Sequence, residues 1–209
     1  MAGQRIRVKI CGITRPEDAL DAAEAGADAI GLVFHPASPR YVTLEQAARI
    51  ARVVPPFVTV VALLVNAPAA AIEAMVRDVR PGLLQFHGDE AEAACVGYGV
   101  PYIKAIRMAP DLDPVAEAAR FPAAQGVLTD AWSPDAYGGT GRQFDWSRLP
   151  GGLGKPLILA GGLTPDNVAV AAAQVRPWAV DVSGGVEAAP GIKDAARMRS
   201  FIDNLNRGA

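Results

Sequence analysis

The sequence predicts an α/β protein, a (β/α)8 TIM barrel forming one domain over residues 1–209. Three observations predict it. Eight short runs rich in Val, Ile, Leu and Phe recur along the chain, each followed by a turn and then by an Ala-rich segment with helical spacing. Their ends, at residues 10, 34, 64, 86, 106, 130, 160 and 182, lie at intervals that fit a strand, a helix and two short loops. Runs such as 58–65 lack polar alternation, as parallel strands covered on both faces require.

In chain order the strands are expected at Arg5 to Ile10, Ala29 to Phe34, Phe57 to Leu64, Leu83 to Phe86, Tyr102 to Ile106, Gly126 to Asp130, Pro156 to Ala160 and Ala179 to Val182. Eight such units favour a closed barrel over an open doubly wound sheet, which usually stops at about five or six strands. Helix signals lie between them. Thr14 or Arg15 caps a helix with Pro16 in its first turn and Gly26 at its end, and Thr164-Pro165-Asp166-Asn167 opens another in the same way. Cys11-Gly12-Ile13-Thr14-Arg15-Pro16 stands where a dinucleotide-binding fold would carry Gly-x-Gly-x-x-Gly, which removes that signal.

Composition narrows the function classes. The 209 residues are 51% hydrophobic and 20% charged, with formal net charge −2, and the Lys and Arg residues are scattered. No basic stripe points to nucleic acid or a membrane surface, which leaves room for a small anionic ligand held by a few local groups. The two cysteines, Cys11 and Cys95, form no Cys-x-x-Cys spacing and suit a reducing cytoplasm. The amino terminus lacks the apolar core of a signal peptide, and no stretch approaches the roughly 18 apolar residues of a spanning helix. His35 and His87 are the only histidines, and no carboxylate-histidine set has ligand spacing, which argues against a metal.

In a barrel, the loops after the strands build the active-site face. Cys11 at the end of the first strand is therefore either a buried apolar thiol or a reacting group. Asp130 ends the sixth strand, before the glycine-rich loop Tyr137-Gly-Gly-Thr-Gly141; it is either a turn-capping carboxylate or a general acid under a closing loop. Gly161 and Gly162 follow the seventh strand and Ser183, Gly184 and Gly185 the eighth, where this architecture repeatedly binds phosphate. Two clusters in those two places favour phosphate over simple turn relief. Arg40, in the loop after the second strand, offers a fork for a carboxylate or phosphate, which suggests a ligand with two anionic ends. His87 reads as a hydrogen-bonding group beside the substrate, Cys95 as a helix core position, and the tryptophans as packing residues, with Trp132 best placed to reach a ligand.

Several of these segments together resemble one family. Lys9-Ile-Cys-Gly-Ile-Thr14, Phe34-His-Pro-Ala-Ser-Pro-Arg-Tyr-Val42, Leu84-Gln-Phe-His-Gly88, Asp130 with Tyr137 to Gly141, Phe144-Asp-Trp146, Leu159-Ala-Gly-Gly-Leu163, Asp181-Val-Ser183 and Gly185-Val-Glu187 are similar, in order and spacing, to phosphoribosylanthranilate isomerases of tryptophan biosynthesis. The resemblance implies an Amadori rearrangement of N-(5-phosphoribosyl)anthranilate to 1-(2-carboxyphenylamino)-1-deoxyribulose 5-phosphate, without a cofactor. It implies Asp130 as general acid, Cys11 as general base, Arg40 on the anthranilate carboxylate, and the glycines at 161, 162, 184 and 185 on the phosphate. Many members carry a second serine where this chain has Gly184, so the resemblance implies no hydroxyl contact there.

Two other readings compete. The first is another phosphosugar barrel enzyme, but a histidine-pathway isomerase resembles a two-aspartate design where Cys11 stands here, and a pentose-phosphate epimerase needs metal-binding histidines that His35 and His87 scarcely supply. A noncatalytic phosphosugar-binding barrel would have no use for both Cys11 and Asp130.

Overall fold

The computed structural model describes residues 5–133 and 143–208. Eight parallel strands close into a barrel in sequence order, and β1 pairs with both β2 and β8. The strands are β1 (Arg7–Cys11), β2 (Ala29–Val33), β3 (Thr59–Leu64), β4 (Leu83–Phe86), β5 (Tyr102–Met108), β6 (Val127–Ala131), β7 (Leu157–Leu159) and β8 (Ala179–Val182). The expected fold class is therefore the observed one. Every expected strand is present, with ends that move by a few residues; β1 includes Cys11 as its last residue.

Helices α1 (Pro16–Ala25), α2 (Leu44–Val53), α3 (Ala69–Val79), α4 (Glu92–Cys95), α5 (Pro114–Ala119), α6 (Val168–Val175) and α7 (Ala195–Arg207) lie between or after the strands. Helix α1 has Pro16 in its first turn and ends on Gly26 at φ 100°, as the sequence indicates, though Arg15 at its N-cap makes no side-chain capping bond. Helix α2 has the full reciprocal cap, Thr43 accepting from the Gln46 amide while Gln46 accepts from that of Thr43. Helix α6 starts later than its Pro165 suggests. The Asn167 side chain accepts from the Thr164 amide at 2.8 Å and donates to the Gly162 carbonyl at 2.9 Å, so residues 164–167 form a turn that leads into the helix. Between β6 and β7 the described residues contain only a 3-10 turn, Trp146–Arg148. The segment Tyr137 to Gly141 lies outside the described residues.

The core is in two shells. Ile103, Ala105, Leu128, Ile158, Ala160 and Ala179 fill the barrel interior on the β4 to β8 side. Outside the strands, Phe86, Phe121 and Phe201 are the largest fully buried side chains, in the layer that seats the helices. Helix α7 buries Met198, Phe201, Ile202 and Leu205, a stripe with helical period, and packs on both α1 and α6. The last helix thus joins the first and seals the ring. Cys95 is buried at the end of α4, as expected of a core position. Trp146 packs against the core, whereas Trp178 is 40% exposed and stacks under Arg7 at 3.5 Å, so it is not a core residue. Among the described residues no helix is long and apolar enough to cross a membrane.

Because α7 holds the seam through Phe201, Phe201→Ala is expected to lower unfolding free energy by about 3–5 kcal/mol. Urea unfolding measures it, and a loss below about 1 kcal/mol would mean that α7 does not hold the ring closed.

Candidate active site

Strand pairing decides which side chains enter the barrel. Register partners share a face, and side chains alternate along each strand, so Lys9 and Cys11 of β1, Gly31 and Val33 of β2, Leu63 of β3, Gln85 of β4, Arg107 of β5, Asp130 of β6 and Asp181 of β8 all take the inward set of positions. The C-terminal ends of these strands form the barrel mouth. Cys11 lies there against Val33, Leu63 and Val65. Asp130 is also buried, its Oδ1 accepting the Ala131 amide at 2.8 Å.

His87 is coupled to Asp130, its Nε2 lying 3.3 Å from Asp130 Oδ2. Its Nδ1 is 3.0 Å from the Gln85 amide nitrogen. Sequence reasoning treats His87 as a substrate-side group; the structure adds a contact with Asp130. Gln85 completes this chain of contacts, and its place two residues before His87 on β4 is the signal that it shares the face.

Arg40 is not a solvated loop residue: it is 9% exposed, and its Nε and Nη2 donate to Glu187 at 2.7 and 2.8 Å. Lys193 Nζ donates to the same carboxylate at 2.7 Å and to the Ser183 carbonyl at 3.2 Å. A small antiparallel hairpin, β9 (Glu187–Ala189) and β10 (Ile192–Lys193), supplies both partners. Burial opposes the charge on Glu187, but the Arg40 guanidinium and the Lys193 ammonium hold its carboxyl below the ordinary range. Gly12 makes room for Arg40. It stands at φ 78°, and a Cβ there would lie 2.4 Å from Arg40 Cδ.

The remaining expected residues fall on two adjoining loops. Gly161 and Gly162 have φ of 87° and 63°, and a Cβ on Gly161 would lie 2.8 Å from the Ala131 nitrogen and 3.1 Å from Asp130 Oδ1. A Cβ on Gly185 would lie 2.0 Å from the Leu163 carbonyl oxygen, so the two glycine loops touch. Gly184 approaches Arg40 Nη2, with its would-be Cβ 3.3 Å away. The buried Ser183 hydroxyl makes no hydrogen bond among the described residues and lies beside Gly12, 3.0 Å from where a Cβ would stand. Trp132, 41% exposed, borders a lateral cavity of about 250 Å³ with Arg107 and Phe121. The structure thus brings Cys11, Arg40 and Ser183 together on the β1, β2 and β8 side, and Asp130, His87 and Gly161 on the β4, β6 and β7 side.

Four charged residues of the mouth are not singled out by sequence reasoning: Lys9, Asp181, Glu187 and Lys193. Lys9 Nζ donates to Asp181 Oδ1 at 2.9 Å, with both side chains buried. A charged residue between two apolar strand neighbours, Val8 and Ile10 for Lys9 and Val180 and Val182 for Asp181, is the available signal. Burial pushes the Cys11 thiol up, Lys9 pulls it back as a charge and as a hydrogen-bond donor, Asp181 raises it and Lys193 lowers it; the net direction is upward. Among the described residues no group of three His, Cys, Asp or Glu could hold a metal ion.

Comparison with known proteins agrees with this fold. The family model for N-(5'-phosphoribosyl)anthranilate (PRA) isomerase matches residues 8–204. An N-(5'-phosphoribosyl)anthranilate isomerase of Pseudomonas aeruginosa strain UCBPP-PA14 is 59% identical over 198 residues, covering 95% of this chain and 94% of that protein. The Nitrosococcus oceani isomerase is 54% identical over 205 residues, covering 97% and 100%. Among solved structures, the phosphoribosyl anthranilate isomerase of Thermus thermophilus has a TM-score of 0.86 at 36% identity, covering 97% of this chain and 99% of that one. Another, solved in complex with reduced 1-(o-carboxyphenylamino)-1-deoxyribulose 5-phosphate, has a TM-score of 0.82 at 38% identity, covering 97% and 100%. With its fold and its sequence along nearly the whole length in agreement, the chain belongs to the phosphoribosylanthranilate isomerase family.

Proposed function

We propose that this chain catalyses the Amadori rearrangement of N-(5-phosphoribosyl)anthranilate to 1-(2-carboxyphenylamino)-1-deoxyribulose 5-phosphate, with Asp130 as general acid and Cys11 as general base. One observation carries the acid and base roles. In a member of this family, a thiol and a carboxyl group, remote in sequence, occupy inward positions at the C-terminal ends of β1 and β6. Protonated Asp130 gives its proton to the ribose ring oxygen, and the ring opens to a Schiff base. Cys11 as thiolate removes the proton from the adjacent sugar carbon, giving an enolamine. Tautomerisation to the ketone then returns one proton to the former C1 and releases the other from the enol oxygen. None of these steps calls for a cofactor.

The thiol starts unfavourably, since an ordinary cysteine has a pKa of about 8.5 and burial pushes Cys11 upward. A protonated Schiff base supplies positive charge beside the sulfur at the step that needs the thiolate. His87, its Nε2 3.3 Å from Asp130 Oδ2, stands beside the acid. Arg40 takes the anthranilate carboxylate through the N–H edge of its guanidinium that Glu187 leaves open, the Nη1 side, since Glu187 engages Nε and Nη2. The glycines at 161, 162, 184 and 185, with Ser183, receive the phosphate at the junction of the β7 and β8 loops. On this reading residues 1–209 act as one domain, in the cytoplasm, on a small phosphosugar, without nucleic acid, membrane or metal.

Turnover, followed as the loss of anthranilate fluorescence of the substrate, tests the assignment. Cys11→Ala and Asp130→Asn are each expected to lower kcat by about 10²–10⁴-fold with little change in product affinity. Near-normal turnover in either removes that residue from the mechanism. Arg40→Ala is expected to raise KM by more than it lowers kcat; an unchanged KM contradicts carboxylate binding there. The Arg40–Glu187 clamp has its own pH signature. A carboxyl held below its ordinary value of 4.5 adds stability that is full above that pH and is lost as pH falls through the lower folded value. Chemical unfolding between neutral and acid pH is expected to have a shallower acid slope in Glu187→Gln than in the wild type, and identical slopes would mean that Glu187 is not held ionised.

A further inference from the structure

The charge beside the Cys11 sulfur comes from the strand that carries it. Lys9 precedes Cys11 by two residues on β1, so both side chains take the inward face. They meet over a single residue of β2 that has no side chain. A Cβ on Gly31 would lie 2.7 Å from Cys11 Sγ and 3.1 Å from Lys9 Cε. Any larger residue there would displace the sulfur, the lysine or both. Lys9 and Asp181 are register partners across the β1–β8 seam, and the Lys9 ammonium bonds the Asp181 carboxylate at 2.9 Å. Both are buried, at 5% and 8% exposure, in the layer beneath the thiol.

Burying an ion pair of this kind is a poor way to gain stability, because desolvation offsets the attraction. Its position supplies a chemical use. Val33, Leu63 and Val65 border the sulfur from β2 and β3 without charge. The charged groups that act on it are Lys9 from β1, Asp181 from β8, Lys193 from β10 and Arg40 from the β2 loop. Of these, Lys9 alone shares the strand and the inward face of Cys11 and borders the same space over Gly31.

We propose that Lys9 is a positioning residue that sets the ionisation of Cys11: its ammonium is the counter-charge against which the thiolate forms, and Asp181 opposes it by claiming part of the same charge. The proposal deepens the general-base reading of Cys11 and rests on it for its catalytic meaning. The two partners then have opposite effects. Loss of the Lys9 charge makes the thiolate harder to form, and loss of the Asp181 charge makes it easier. Burial pushes the other thiol, Cys95, up to about 12, so it contributes little thiolate at neutral pH.

The test is thiolate titration in a Cys95→Ala background, read by the pH dependence of iodoacetamide alkylation and by thiolate ultraviolet absorbance. At a fixed pH below the wild-type midpoint, Lys9→Met is expected to slow alkylation by about tenfold or more, the factor that one pH unit corresponds to for a close opposite charge. Asp181→Asn is expected to speed it by a similar factor, and Lys9→Arg to stay near the wild type. If Lys9→Met fails to fold, Asp181→Asn and Lys9→Arg still decide. A Lys9→Met profile overlying the wild type, or an Asp181→Asn profile unchanged or moved toward higher pH, overturns the proposal. Turnover of Cys11→Ala reads the base assignment separately. Near-normal turnover there would remove the catalytic meaning and leave the titration result intact.

Discussion

The seam between β1 and β8 is the constraint on which the site depends. By pairing with β2 on one edge and β8 on the other, β1 is held at a fixed register, Lys9 opposite Asp181 and Cys11 opposite Gly31. A slip of one residue would turn Lys9 and Cys11 outward into the layer that seats the helices. Closure therefore decides whether this chain has a thiol in its mouth. The stripe of α7 that packs on α1 and α6 reinforces the seam from outside.

Above the apolar interior, the mouth is built from paired opposite charges. Lys9 meets Asp181, and Arg40 and Lys193 share Glu187. Lys9–Asp181 and Arg40–Glu187 each join parts of the chain more than a hundred residues apart, at separations of 172 and 147, so these pairs also hold the loops in place. Such groups are costly to bury singly, and removing one partner leaves the other uncompensated. The Lys193 ammonium shows the balance. Burial pulls its pKa below the ordinary value, and Glu187 restores part of it.

The small residues of the mouth are as specific as the charged ones. Gly12 lets the Arg40 stem cross the end of β1, Gly31 admits the sulfur and Lys9 side by side, and Gly161 leaves space for the Asp130 carboxyl. In each case the absent side chain gives a functional group its position. Glycine at a strand end here does more than permit a turn.

The sequence by itself determined the architecture and which residues stand at the strand ends. Apolar runs at regular intervals, helix stop signals such as Gly26 and glycine clusters after the last two strands are local features, and local features are legible in one dimension. Cys11, Asp130 and Arg40 were legible for a related reason, since a strand end is an informative address once the barrel is recognised. Only the tertiary structure decided the partners. That Arg40 is held by a residue 147 positions away, that Lys9 bonds one 172 positions away, and that His87 turns toward Asp130 all follow from ring closure and strand register. Composition and spacing carry no record of which distant charge will neutralise which. The delayed start of α6 has a smaller cause of the same kind, a side-chain bond from Asn167 that competes with the helix signal of Pro165. Electrostatic pairing acts through space, and the distances that set it exist only once the chain has closed on itself.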